Sequence, residues 1–365
     1  MIRRKIDSDL KRKKIGLLEI SGDPYERGNK LGTIKKDAIG LLVQYLYKDY
    51  SSNNESKKEI LEHAKEHIPF IKEYSPKIFE EIQGIADGSK RKLEEIIMIH
   101  MHEERSGFSS HNCTTFASTG QASVNGKTYI GQTWDISQNL CETANAFLLK
   151  KRLNNDPDVL AYTYAGMLAG AGINAEGISL VWNSVPRLDI KVGVPTYIII
   201  AEILRQKKMG DALTAIFRAQ RAGCFNFLIA DQEDIYNIEA TPNDVDISYS
   251  DSYFAHTNHY TSHKFKDKQN IADVAKEYSA STILRQNKMN RMLKENYGDI
   301  DLEKSKDFMR DHLNHPESIC RHPDPNIASE KRIITCSSFV IIPSQKEIWI
   351  TNGPACENEF HKYVI

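Results

Sequence analysis

Cys113 is the residue on which chemistry would start in this 365-residue chain. A thiolate is a strong nucleophile, and HNCTTFASTGQASVNGKTYIGQTWDI places this one at the head of an alternating run. Asn125-Gly126, between the two alternating halves, is a two-residue type I′ hairpin signal. With that turn as pivot, Phe116 stands opposite Asp135 and Thr115 opposite Ile136. Cys113 then lies within a few residues of a carboxylate on the neighbouring strand. A bulge would alter the register, so the reading claims proximity only.

The remaining reactive residues read more plainly. Cys141, Cys224, Cys336 and Cys356 are expected to be small buried hydrophobes, and Cys320, alternating away from Arg321 in a strand, to pack. With no CxxC pair, the six cysteines read as free thiols in a reducing compartment, which makes cytoplasm the default location. His100, His102, His111, His256 and His259 come with no HExxH and no clustered carboxylate, so no metal is expected. The glycines of AGMLAGAGINAEG fit neither a P-loop nor a dinucleotide fingerprint, and suit tight turns and close backbone approach. Glu103, Glu104 and Arg105 read as a solvated helix end.

The elements that must position Cys113 fall into two regimes divided near residue 112. Before it lies one strand, IGLLEIS, and then helical text: a helix starting at Asp23-Pro24, KEILEHAKEHIPFIKEYS, PKIFEEIQGIADGSK and KLEEIIMIHMHEE. YSSNNESKKE reads as an exposed connection. After Cys113 the period becomes two, in KTYIGQTWDI, AFLLKKRL, VLAYTYAG, GISLVWNSV, FNFLIADQ, DIYNIEAT, SSFVIIPS and EIWITNG. Helical text interrupts at VPTYIIIAEILRQ, DALTAIFRAQRAG and AKEYSASTILRQNKMNRMLKEN. Paired strands with inserted helices point to an α+β fold of antiparallel sheets covered by helices. Lysine plus arginine (48) nearly cancel aspartate plus glutamate (49), so no field favours nucleic acid or anionic lipid. The basic start carries no apolar run of signal-peptide length, and no apolar run is long enough to span a membrane.

HNCTT followed by GQTWDI resembles the nucleophile hairpin of the acyl-coenzyme A:6-aminopenicillanic acid acyltransferase family (peptidase C45 type) of self-processing N-terminal-nucleophile hydrolases. DPYERGNKLG, EEIQGIADGSKRKLEEIIMIH, AGMLAGAGINAEGISLVWNSV, GVPTYIIIAEIL, FAHTNHY and HPESICRHPD follow in the family's order. The resemblance implies a four-layer αββα sandwich. It also implies autocatalytic cleavage between Asn112 and Cys113, giving a helical small chain (1–112) and a catalytic large chain (113–365) that stay associated. The freed α-amine, which titrates near ~8 in model peptides, would be the base for its own thiol. By the same resemblance Asn258 would supply an oxyanion donor, Asp135 would orient groups around the α-amine, and Arg321 would offer a fixed positive charge. Thr115, Asn183 and Ser318 are weaker candidates for holding substrate or the processing geometry. The familiar fungal member has glycine before the nucleophile where this chain has Asn112, and a Cβ restricts the strained conformations a self-cleaving bond can reach.

Two activities fit this machinery: hydrolysis of a linear amide, or transfer of the acyl group to an amine with acyl-coenzyme A as co-substrate. Both pass through a Cys113 thioester, and neither needs a resident cofactor. The expected partners are a small acyl amide or thioester and the two chains of one precursor; a homo-oligomer is compatible with the sequence. The contrasting class is an uncleaved, non-enzymatic acyl-ligand binder, which would be expected to have lost the nucleophile that this chain keeps.

Overall fold

The computed structural model describes residues 14–51, 55–105, 111–277 and 279–365. The basic N-terminal stretch and most of the SSNN connection lie outside the described residues. Among the described residues there are fourteen strands: β1 (Leu17–Ser21), β2 (His111–Gly120), β3 (Gly126–Ser137), β4 (Phe147–Arg152), β5 (Val159–Thr163), β6 (Ala171–Asn174), β7 (Ser179–Ser184), β8 (Phe225–Ala230), β9 (Ile235–Ala240), β10 (Val245–Ser250), β11 (Tyr253–His256), β12 (Ile333–Ile342), β13 (Glu347–Ile350) and β14 (His361–Val364). Of these, β6, β11 and β14 are only four residues long and periodicity does not reveal them, whereas β10, VDISYS, alternates strictly and the sequence reading passed over it.

Two sheets result, ordered β1-β4-β5-β6-β7-β8-β9-β10 and β11-β2-β3-β12-β13-β14. Pairing is antiparallel except that β1 joins β4 in parallel, the chain between them running through the N-terminal helices and the β2–β3 hairpin. Facing residues of the two sheets share one core with the N-terminal helices and the helix Thr196–Ile203. The outer face of the second sheet packs through Phe116, Val340 and Ile342 against Met289, Leu293, Phe308 and Met309, on or just beyond the helices Ser281–Glu295 and Leu302–Phe308. Helix, sheet, sheet, helix is the αββα sandwich.

In the N-terminal layer, the helices Pro24–Ile34 and Pro76–Ser89 pack backbone to backbone. A Cβ on Gly28 would sit 1.9 Å from Glu81 O, and one on Gly84 would sit 2.2 Å from Tyr25 O. Glu81, at this crossing, holds Arg27 at 2.9 Å and Lys151 of β4 at 3.2 Å, tying the helices to the first sheet.

The nucleophile hairpin departs from its expected register. The type I′ turn is present, with Asn125 and Gly126 at φ 56° and 67° and Lys127 N–H donating to Val124 O at 3.3 Å. The ladder, however, closes at Gly120↔Gly126, and Cys113 faces Trp134 while Asn112 faces Asp135. The cause is competition: Val124 N–H donates to Ile300 O and Ala122 O accepts from Gly298 N–H, so residues between the strands pair elsewhere. The slip is an even number of residues, which leaves each side chain on its expected face.

Three expectations about cysteine are corrected. Cys141 and Cys336 form a disulfide (Cα–Cα 5.7 Å), so the six are not all free thiols. Cys336 lies where the β12–β3 register shifts, between Thr335 and Ser337, and a bulge of this kind re-aims a side chain in a way alternation does not anticipate. Cys356 is exposed rather than buried, and Cys320, though buried, lies in a loop rather than a strand.

Candidate active site

Alternation divides the neighbourhood of Cys113 between the two faces of the second sheet. Cys113, Thr115, Gln132 and Trp134 point between the sheets. Thr115 Oγ1 donates to Asn183 Oδ1 on β7 at 2.8 Å, and Gln132 Nε2 donates to Trp182 O at 2.9 Å, pinning the sheets together beside the thiol. Trp134 packs edge-on to Tyr162, Tyr164 and Trp182. Burial pushes the Cys113 thiol well above its ordinary value, and the Asp135 charge adds to this. The Asp135 backbone and the Gln132 side chain act in the opposite direction. The thiol of the intact chain is therefore protonated and needs a base.

Asn112, Thr114, Thr133 and Asp135 point the other way, toward the helix Ser281–Glu295. There stands a residue the sequence reading missed. Arg285, only 1% exposed, donates to Cys113 O (2.6 Å), Thr114 Oγ1 (2.9 Å), Asn112 Oδ1 (3.2 Å) and Asn258 Oδ1 (2.8 Å). Burial lowers its pKa to about 10, with Arg321 contributing in the same direction. A signal was available: Arg285 falls on the buried stripe Ser281, Thr282, Arg285, Met289 and Met292, where a charged side chain has no place unless it is paired.

Asn258 follows β11 and lies against the peptide in question. Its Oδ1 accepts from Cys113 N–H at 3.1 Å, while Nδ2 donates to Ser184 O at 3.1 Å. Asp135 accepts from Thr335 Oγ1 at 2.7 Å and Thr133 Oγ1 at 3.4 Å. Burial raises its pKa to about 6, against the pull of Arg285 and Arg321. Arg321 reaches this group through Thr335: its N–H donates to Thr335 Oγ1 at 2.8 Å, its Nη2 holds Glu317 at 2.7 Å, and its Nη1 is buried with no hydrogen-bond partner among the described residues.

Cys113, Asn112, Asn258, Asp135 and Arg321 thus form one connected cluster, with Thr115 and Asn183 on its inter-sheet side. Ser318 stands apart, donating to Cys320 O at 2.5 Å within its own loop. His256 does not pair with His259 as a ligand set. It lies between Asn183 Oδ1 (3.1 Å) and Glu239 Oε1 (2.9 Å), and buttresses Asn183.

Glu103 and Glu104 are buried, which corrects the reading of a solvated helix end. Tyr197 OH donates to Glu103 at 2.6 Å and Thr196 N–H to Glu104 at 2.7 Å, and burial raises Glu104 to about 7. These residues line a narrow crevice with Ser184, Arg187, Gly223 and Phe225. Its Ser184 wall is the residue that engages Asn258.

The two-sheet sandwich thus carries a buried cysteine near the head of a central strand, held by an asparagine amide and a buried arginine. Comparison supplies the family: residues 122–354 match the one described as acyl-coenzyme A:6-aminopenicillanic acid acyl-transferase, and the chain belongs to it. The 40 kDa form of acyl-coenzyme A:6-aminopenicillanic-acid acyltransferase from Emericella nidulans is 23% identical over 309 residues, spanning 82% of this chain and 83% of the relative. Among solved structures, a mutant of conjugated bile acid hydrolase from Clostridium perfringens aligns with a TM-score of 0.47 and 12% identity, over 69% of this chain and 97% of that one. Penicillin V acylase from Agrobacterium tumefaciens aligns with a TM-score of 0.41 and 8% identity, over 66% and 83%. Among the described residues no helix is long and apolar enough to cross a membrane.

Proposed function

We propose that the chain matures by cutting itself between Asn112 and Cys113, and that the new N-terminal cysteine then hydrolyses a linear amide through an acyl-thioester. The observation that carries the reading is the grip on the two residues that flank the scissile bond. Asn258 holds the Cys113 nitrogen, and Arg285 holds the Cys113 carbonyl and the Asn112 side chain.

In maturation, the Cys113 sulfur attacks the Asn112 carbonyl carbon and the C–N bond breaks. The thiol proton passes to the departing nitrogen, leaving a thioester and a free α-amine. Water then releases the Asn112 carboxyl group and restores the thiol. In turnover, that α-amine accepts the thiol proton, the thiolate attacks the substrate amide, and the protonated amine leaves. Water completes hydrolysis. An acceptor amine taking the acyl group instead, with acyl-coenzyme A as donor, is the alternative suggested by the family's name.

Asn258 Nδ2 would turn from Ser184 to the developing oxyanion, where loss of one such donor typically costs about 3 kcal/mol. The buried, unpartnered Nη1 of Arg321 supports a role toward an anionic group. The reading divides the sequence at residue 112 into two chains that remain packed together, since the N-terminal helices bury their apolar stripes on the sheet.

N-terminal sequencing and intact mass of freshly purified protein test the proposal. Two fragments are expected, one beginning at Cys113, with only full-length chain from Cys113→Ala. A persistent full-length species with full amidase activity would overturn it. Acyl-coenzyme A consumption that depends on an added amine would select the transferase arm.

A further inference from the structure

Outside the site just described, four metal-ligating side chains converge at one end of the second sheet. His312, Cys320 and His322 come from the loop after the helix Leu302–Phe308, and Cys356 comes from the turn between β13 and β14. Their ligand atoms all lie within 4.8 Å of one another. We propose that they form a structural tetrahedral zinc site.

The spacing carries the argument. In a tetrahedron the vertex-to-vertex distance is about 1.6 times the centre-to-vertex distance. Zinc bonds of ~2.3 Å to sulfur and ~2.0–2.1 Å to nitrogen therefore require about 3.8 Å between sulfurs, about 3.3 Å between nitrogens and about 3.5 Å between sulfur and nitrogen. Four of the six separations are 3.6 Å for Cys320 Sγ to Cys356 Sγ, 3.1 Å for His312 Nε2 to His322 Nε2, 3.3 Å for Cys356 Sγ to His322 Nε2, and 3.8 Å for Cys320 Sγ to His322 Nε2, and the two from His312 to the sulfurs are within 4.8 Å. Elsewhere in the chain Cys141 and Cys336 are joined as a disulfide; these two sulfurs stand apart by the distance a shared metal sets.

The outer surroundings agree. His322 presents Nε2 to the cluster, and its Nδ1 lies 3.6 Å from the Glu357 carboxylate, where a ligating imidazole ordinarily points its second nitrogen. Two thiolates and two imidazoles are a donor set for zinc rather than for magnesium or calcium, and four protein ligands close the coordination sphere, as in a structural site. Sequence spacing did not reveal it, because Cys356 arrives from beyond β13. The histidines at 256 and 259, which sequence reading weighed as ligands, are not involved.

The consequence reaches the active site. Arg321 sits between ligands Cys320 and His322, so the ion would clip its backbone to the turn after β13 and hold it beside Thr335 and Asp135.

Zinc content of the purified full chain, followed by X-ray absorption at the zinc edge, tests the site. About one equivalent per chain is expected, with two sulfur and two nitrogen neighbours at the distances given above. Cobalt(II) added to chelator-treated protein should give a tetrahedral visible spectrum with thiolate-to-metal charge transfer. Cys356→Ser and His312→Ala, both at exposed positions, should lose the metal while keeping the wild-type circular dichroism spectrum. Cys113→Ala should keep it, which separates this proposal from the one for function. Failure to bind zinc or cobalt, binding unchanged in Cys356→Ser, or a Cys320–Cys356 disulfide in a non-reducing peptide map would each overturn the assignment.

Discussion

Replacing Arg285 with methionine removes a cation that contacts four oxygens around Cys113. Hydrogen bonds to a charged group contribute ~1.5–3 kcal/mol each. Part of that is offset by relief of the guanidinium's burial, which already lowers its pKa to about 10. Each buried acceptor left unsatisfied costs ~1–3 kcal/mol of stability. Two of the four contacts, to Cys113 O and Asn258 Oδ1, adjoin the proposed scissile bond. Losing about 3 kcal/mol from the transition state slows self-cleavage by roughly 100-fold. Arg285→Lys keeps the charge but cannot span both pairs of acceptors, and should slow it by roughly tenfold. Decay of the precursor band on a denaturing gel measures the rate. Urea midpoints in a Cys113→Ala background measure stability without interference from cleavage. A methionine variant that matures at the wild-type rate, or that loses under about 1 kcal/mol, would refute the reasoning.

Asp135 titrates near 6 when folded, above its ordinary carboxylate range. The folded state therefore binds the extra proton, and stability falls as pH rises from about 4 through about 6, by roughly 3 kcal/mol; Asp135→Asn in the Cys113→Ala background should flatten that part of a pH-dependent urea titration. Glu239 behaves oppositely: burial alone would raise it, but His256, Ser262 and Thr261 hold it down to about 2. Its contribution is present above its unfolded value and is lost as pH falls toward 2, a loss that Glu239→Gln should abolish. Gly28→Ala drives a Cβ into Glu81 O and should cost about 3 kcal/mol, read as a lowered thermal midpoint. Thiol titration of denatured, unreduced, chelator-treated protein should count four free cysteines and one disulfide, with six thiols refuting the Cys141–Cys336 bond.

Much of the site was legible because its signals are local. The alternating runs on either side of Asn125-Gly126 announced a hairpin, and strand parity survived the register slip, so Cys113 and Asp135 lie near each other as expected. What failed depended on distant competitors. The hairpin's register was decided by residues 298–300, which took the hydrogen bonds of its turn. Arg285 escaped notice because its four acceptors lie 27 or more positions away in the chain.

The sequence by itself determined a helical first third, a strand-rich remainder and the thiol at the head of its hairpin, since periodicity and turn chemistry act over a few residues. Only the tertiary structure decided how Cys113 is held. The faces of β2 and β3 divide the thiol from Asp135, Asn258 and Arg285 converge on the backbone of Cys113 from separate segments, and Cys320 and Cys356 meet across β13. Those are contacts between remote segments, set by how sheets and helices pack, and no local pattern encodes them.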